Sequence, residues 1–210
     1  MQEIKRKGLM FILSSPSGAG KTTLSRALIK EFDDLIMSIS VTTRNKRPNE
    51  ADGVDYFFTD QAQYKKMIDE DKFIEHAKVF DQYYGTPKDF VLEKLEQGTD
   101  ILFDIDWQGT KTIVDKFPED VVSIYILPPS IEELNNRLKN RAQESEDIIN
   151  LRMSKARSEI SHWYMYDYII INENLEESLT KIACILRAER LKRVRQVGMK
   201  NFVDLLLKGN

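Results

Sequence analysis

Leu9-Met10-Phe11-Ile12-Leu13, then Ser14-Ser15-Pro16-Ser17-Gly18-Ala19-Gly20-Lys21-Thr22-Thr23, then Leu24, Ala27, Leu28 and Phe32 at helical spacing, is the stretch that settles the fold class. The first run is unbroken, preceded by Gly8 and stopped by a Ser/Pro/Gly cluster, as in a strand buried on both faces. From Lys21 to Phe32 the apolar residues line one side of a helix, which predicts a face packed on the sheet. Similar buried runs follow at Ile101-Leu102-Phe103, from Val121 to Leu127, and at Tyr168-Ile169-Ile170-Ile171, with helical stretches between or after them. That alternation predicts an α/β protein with a central parallel sheet. One helix start is legible in detail. Ser130 follows Pro128-Pro129 and precedes Glu133 by three positions, a capping box, with Ile131, Leu134 and Leu138 on one face. Leu175, Leu179, Ile182 and Leu186 mark the last helix.

Two stretches fit this sheet poorly. From about Ser38 to Pro87 the chain is rich in Arg, Tyr, Asp and Gly with mixed patterns, which predicts a subdomain inserted after the first βα unit. From Asn136 to Arg157 it is highly charged and weakly apolar, which predicts a mobile helical flap. The division that follows is one domain over 1–210. Its core is 1–37, 88–130 and 158–210, its insertion 38–87, and its lid 131–157.

At 210 residues, 41% hydrophobic and 31% charged, the chain has the size and composition of one folded domain. A net charge of −3 lacks the cation surplus a general nucleic-acid binder needs, so phosphate binding has to be local. The single cysteine, Cys184, has no intramolecular partner and reads as a small core residue in a cytoplasmic protein. The apolar run ending at Leu13 is too short to span a bilayer and lacks a cleavage-site pattern, so neither export nor a membrane anchor is expected.

Ser15 to Thr22 has the form x-x-x-x-x-G-K-T between strand and helix, the context that gives a Walker A loop its meaning. Such a loop points consecutive backbone N–H groups at phosphate oxygens. This needs positive φ and close approach, hence Gly18 and Gly20, and the helix N-terminus adds its dipole. Lys21 reaches the β- and γ-phosphates and the Thr22 hydroxyl faces Mg²⁺, with Thr23 next in the helix. Ser15 stands where the usual pattern has its first glycine, and positive φ there would store strain. Asp104 and Asp106 follow the buried Leu102-Phe103 at the carboxyl edge of the sheet, where ligands bind, and Asp104 is the Walker B candidate. The reading is a P-loop NTPase fold using ATP.

The acceptor comes from a resemblance. Ser40-Val41-Thr42-Thr43-Arg44-Asn45-Lys46-Arg47-Pro48, Asp55-Tyr56-Phe57-Phe58, Phe73-Ile74-Glu75-His76-Ala77 and Tyr83-Tyr84-Gly85-Thr86 resemble, in order and spacing, the GMP-binding segment of bacterial guanylate kinases. The likeness continues through Leu102 to Gly109, Ile126 to Ser130 and the lid-like 137–152, covering roughly residues 8 to 190. It implies phosphoryl transfer from ATP to GMP or dGMP. Glu75 and Asp106 would face the guanine donor edge, with Ser40 and Thr86 as hydroxyl contacts. Arg44, Arg47, Tyr56 and Tyr84 would hold the GMP phosphate. Chemistry agrees, because guanine offers N1–H and N2–H₂ donors that adenine lacks, and adenine would leave two buried carboxylates unpaired. The resemblance further implies that Arg137 joins the ATP site, that Arg141 and Arg152 neutralise the transferring phosphoryl group, and that Asn172 lies near the adenine. Ala142 replaces a usual glycine of the lid.

Other readings compete. His76 and His162 lack metal-ligand spacing and read as packing or surface residues; Trp107 and Tyr64 read as core or pocket wall. The basic stretch from Arg187 to Arg195 reads as a solvated helix face rather than a nucleic-acid patch, and the oligomeric state stays open. A catalytically dead scaffold of the same family, or a P-loop kinase for AMP or a sugar phosphate, are the functional alternatives.

Overall fold

The computed structural model describes residues 4–48, 50–79, 81–141 and 146–208. Strand β1 (Met10–Ser14) has every residue buried. The loop after it turns at Gly20 into helix α1 (Lys21–Glu31), which buries Leu24, Ser25 and Leu28. A three-residue edge strand β2 (Leu35–Met37) follows, too short for its periodicity to show in sequence. The inserted stretch holds β3 (Val41–Thr42), β4 (Phe57–Phe58), α2 (Gln61–Asp69), β5 (Phe73–Val79) and β6 (Gln82–Pro87). The chain then returns through α3 (Lys88–Glu96), β7 (Asp100–Asp104), α4 (Trp107–Lys116) and β8 (Val121–Leu127). The charged stretch forms α5 (Ile131–Arg141) and α6 (Glu146–Ile160), so α6 continues past the boundary drawn at 157. The chain closes with β9 (Tyr168–Ile171), α7 (Leu175–Arg190) and α8 (Met199–Lys208).

Among the described residues, five strands form one sheet in the order β2-β7-β1-β8-β9, parallel throughout. Because side chains alternate along a strand, β1 feeds two cores. Leu9, Phe11 and Leu13 pack with Leu24, Leu28, Ile182 and Leu186 of α1 and α7, whereas Met10 and Ile12 pack with Val91, Leu95 and Ile113 of α3 and α4. The result is helix, sheet, helix. A second sheet, β4-β3-β6-β5, carries the insertion and packs Val41, Phe73 and Tyr64 into its own small core. α5 and α6 share a further cluster of Leu134, Leu138, Ala156 and Met153. Ser130 caps α5 by accepting from the Glu133 N–H at 3.0 Å, while the Glu133 carboxylate turns to Arg137 Nε at 2.8 Å.

Three expectations need correction. α7 is not the last helix, since α8 follows with Phe202, Val203, Leu205, Leu206 and Leu207 exposed. Cys184 is exposed, because the period of α7 buries its neighbours Ile182 and Ala183 and turns Cys184 outward. The basic stretch is a solvated face only in part: Arg187, Lys192 and Arg193 are exposed, whereas Arg190 is half-buried and Arg195 buried. Arg187 pairs with Glu31, Arg190 bonds both Asp34 and Asp100, and Lys192 and Arg195 pair with Glu189. Arg6 also bridges Asp34 and Asp100, so two guanidiniums clasp a carboxylate that is 0% exposed.

Candidate active site

Gly18 and Gly20 sit at φ 93° and 101°, in the left-handed region that lets the loop after β1 fold back on itself. Ser15 does not share it. Among the described non-glycine residues only Asp71 and Asp81 have positive φ, so the strain anticipated at Ser15 is absent; its hydroxyl donates to the Pro16 carbonyl at 3.0 Å. The loop floors a cavity of about 570 Å³ lined by Ser15, Pro16, Ser17, Gly18, Gly20, Lys21, Thr22 and Thr23, with Arg26, Asp106, Arg137 and Glu159 around it. Ala19 is fully buried beneath.

Lys21 Nζ lies 2.6 Å from Asp104 Oδ1 and donates to the Ile105 carbonyl at 3.3 Å. The loop lysine and the carboxylate at the end of β7 are therefore joined directly. Asn172 is buried under the loop. Its Nδ2 donates to the Ala19 carbonyl at 2.8 Å, and a Cβ on Gly20 would stand 2.4 Å from that nitrogen. Gly20 thus gives room to Asn172 as well as a permissive φ. The amide anticipated near the adenine braces the loop backbone from below. Arg137 donates to Glu133 and, at 3.3 Å, to the Asn172 carbonyl, which holds it at the cavity wall.

A second cavity of about 340 Å³ is lined by Lys21, Ser40, Tyr56, Glu75, Ala77, Tyr84, Asp104, Ile105 and Asp106. Lys21 and Asp106 line both cavities. At its inner end Glu75, on β5 and only 3% exposed, accepts from Thr86 Oγ1 at 2.7 Å; Thr86 Oγ1 lies 3.4 Å from Ser40 Oγ. Burial pushes the Glu75 carboxyl up to about 7, with the Thr86 hydroxyl pulling the other way and Asp106 adding to the rise. Helix α4 comes close enough that a Cβ on Gly109 would stand 2.9 Å from Glu75 Oε2.

Asp106 caps α4. Its Oδ1 accepts from the N–H groups of Gln108 and Gly109 at 3.0 and 3.1 Å, and Oδ2 accepts from Gln108 Nε2 at 3.1 Å. These bonds fix the carboxylate and leave part of its acceptor capacity open. Ser14 Oγ donates to the Ile105 carbonyl at 2.7 Å and Thr110 Oγ1 to the Asp106 carbonyl at 2.8 Å, tying the turn that bears both aspartates to β1 and α4. Toward the outer end, Arg44 pairs with Glu50 at 2.7 Å and lies over the Tyr56 ring; the Tyr56 and Tyr84 rings meet edge to face. Arg47 is exposed and joins this group through its backbone, whose N–H donates to the Glu50 carboxylate at 2.8 Å and whose carbonyl accepts from the Glu50 N–H at 3.1 Å.

Arg141 and Arg152 lie on α5 and α6. Their side chains, and Ala142 altogether, fall outside the described residues. Of the remaining aromatic readings, Tyr64 is core, and Trp107 stacks on His162 with ring centroids 3.9 Å apart. Sequence reasoning missed Glu159 and Gly109. Glu159 falls just past the charged stretch with no pattern to single it out, and Gly109 enters only as the end of a stretch that resembles the family.

A family model described as guanylate kinase matches residues 7–189. The guanylate kinase of Rhodospirillum rubrum is 55% identical over 201 residues, covering 96% of this chain and 92% of that one. That of Paramagnetospirillum magneticum is 51% identical over 206 residues, covering 98% and 96%. A crystal structure of guanylate kinase from Anaplasma phagocytophilum superposes with a TM-score of 0.81 at 37% identity, covering 99% of this chain and all of the other.

Proposed function

The chain belongs to the guanylate kinase family, and from that premise we propose how its residues carry the reaction in which GMP is phosphorylated using ATP. One observation supports the reading above the rest. Two cavities meet at Lys21 and Asp106, one floored by a phosphate-binding loop and the other ending on a buried carboxylate.

ATP takes the loop cavity, its phosphates received by the N–H groups between Ser17 and Thr22 and by Lys21, with Thr23, Arg137 and Asn172 completing or bracing the site. GMP takes the other cavity. Its N1–H and N2–H₂ groups donate to Glu75 and Asp106, and Ser40 and Thr86 add hydroxyl contacts. Arg44, Tyr56 and Tyr84 hold its phosphate, and Arg47 joins them once its exposed side chain turns inward. We extend the acceptor to dGMP because these contacts are to base and phosphate only. A phosphate oxygen of GMP then attacks the γ-phosphorus of ATP, forming one P–O bond while the bond to the β,γ-bridging oxygen breaks and ADP leaves. GMP is already an anionic nucleophile, so positioning and charge neutralisation carry most of the rate. Arg141 and Arg152 are assigned to the charge on the moving group.

Thr22 and Asp104 offer a hydroxyl and a carboxylate oxygen, and no group of three or more His, Cys, Asp or Glu side chains able to hold a metal occurs among the described residues. Hard oxygen donors, few in number, fit Mg²⁺, which keeps several waters and binds chiefly through nucleotide phosphates. When bound it would supply charge neutralisation across the β- and γ-phosphates. No described helix is long and apolar enough to cross a membrane. We place the chain in the reducing cytoplasm, where its lone thiol needs no partner.

The test is ADP formation measured across the four nucleoside monophosphates, with and without Mg²⁺. GMP is expected to lead, activity to need Mg²⁺, and Lys21→Ala to lose on the order of a hundredfold or more. Faster turnover with AMP than with GMP would overturn the assignment.

A further inference from the structure

We propose that Glu159 acts as an internal anion on the phosphate loop, holding the Ser17 N–H and competing with ATP for it. Glu159 lies in the last turn of α6 and lines the loop cavity. Its Oε2 accepts from the Ser17 N–H at 3.3 Å, across a sequence separation of 142. A carboxylate is an oxyanion, and the inward N–H groups of such a loop bind phosphate oxygens, so the same donor suits either. The neighbouring phosphate-binding groups follow the same arrangement: Lys21 is held by Asp104 and Arg44 by Glu50. The Ser17 N–H, Lys21 and Arg44 thus each rest on a carboxylate of this chain.

Glu159, unlike Asp104, is assigned no contact with Mg²⁺ or the transferring group. Burial already holds its carboxyl above the ordinary range, with the Ser17 N–H and the Lys21 charge pulling the other way. A polyphosphate set into the cavity adds like charge beside it, so carboxylate and nucleotide exclude each other. The base of this segment is anchored nearby by the stacking of His162 on Trp107, and His162 Nδ1 lies 2.9 Å from the Ser158 carbonyl. Displacing the Glu159 side chain is therefore a local exchange of one anion for another. Its effect is to lower the affinity for ATP without touching the GMP cavity.

The inference rests on the loop being the ATP site, and the experiment separates the two. Binding of a non-hydrolysable β,γ-imido ATP analogue and, separately, of GMP is measured by calorimetry for the wild type, Lys21→Ala, Glu159→Gln and Glu159→Ala. Both Glu159 variants are expected to bind the analogue about three- to tenfold more tightly, because the competing state is removed. GMP affinity is expected to stay unchanged, which also certifies that each variant is folded. Analogue binding that is equal or weaker in the Glu159 variants overturns the proposal, since it makes the carboxylate a support for ATP or a fold contact. If the wild type binds the analogue no better than Lys21→Ala, the loop assignment itself fails, and the proposal fails with it.

Discussion

Replacing Glu75 by Gln is expected to make the unliganded protein more stable and, at once, nearly blind to GMP. Glu75 is almost fully buried, bonded to Thr86, and its carboxyl is pushed from 4.5 up to about 7. The sign follows from linkage. With its pKa higher in the native state than in the unfolded chain, the native state binds more protons between pH 4.5 and about 7, so wild-type stability falls as pH rises through that window. Above it, a buried carboxylate ionised against its surroundings costs on the order of 3 kcal/mol, of which the Gln variant is relieved. Allowing for an imperfectly seated amide, a gain of roughly 1–3 kcal/mol near pH 8 is expected, which raises Tm by roughly 3–10 °C in a chain of this size. The gain should shrink as pH falls toward 5, where Glu75 is protonated in the native state, and approach zero only below about pH 4, where it is protonated in both states. GMP affinity moves oppositely. Two charge-assisted acceptor bonds to the base are lost or inverted, weakening GMP by roughly a hundredfold or more, while the ATP analogue binds as before. Thermal melts from pH 5 to 8.5, with calorimetry at pH 8, read both effects. A stability difference flat across pH, or GMP bound within about threefold of wild type, would refute the reasoning.

Two further variants probe the frame around the site. Gly109→Ala places a methyl 2.9 Å from Glu75 Oε2 and must push that carboxylate aside, so KM for GMP is expected to rise about tenfold with KM for ATP unchanged; steady-state kinetics decide, and an unaltered KM for GMP would mean α4 yields instead. Arg190→Met removes one of two guanidiniums from the fully buried Asp100, and denaturant unfolding is expected to show a loss of about 3–5 kcal/mol. A loss near zero would show that Arg6 alone satisfies Asp100.

Much of this was legible in the chain because it is local. An apolar run of five, a Gly-Ala-Gly-Lys-Thr turn and a helical repeat are contiguous, and each dictates its own backbone shape. Three central strands after β1 were likewise readable as apolar runs, and α1, α5 and α7 from their helical period. Periodicity failed where the element was too short, at β2, or where the terminal amphipathic helix α8 leaves apolar residues exposed rather than buried. It also failed at Cys184, whose residue type suggests the core while its position on α7 faces outward. Arg187 and Arg190 could be counted but not placed, since their partners Glu31, Asp34 and Asp100 lie far away in sequence.

By itself, then, the sequence determined the Gly-Ala-Gly-Lys-Thr loop, the parallel α/β frame and the family resemblance from which the proposed guanine contacts are taken. It could not determine how those residues are held or charged. That Glu75 is desolvated, that Asp106 is partly committed to a helix cap, that Asn172 braces Ala19 and that Glu159 rests on Ser17 are facts of non-local approach, the last two across separations of 153 and 142 residues. The physical reason is that ionisation and hydrogen bonding depend on what surrounds a group in space, and only packing brings those surroundings together.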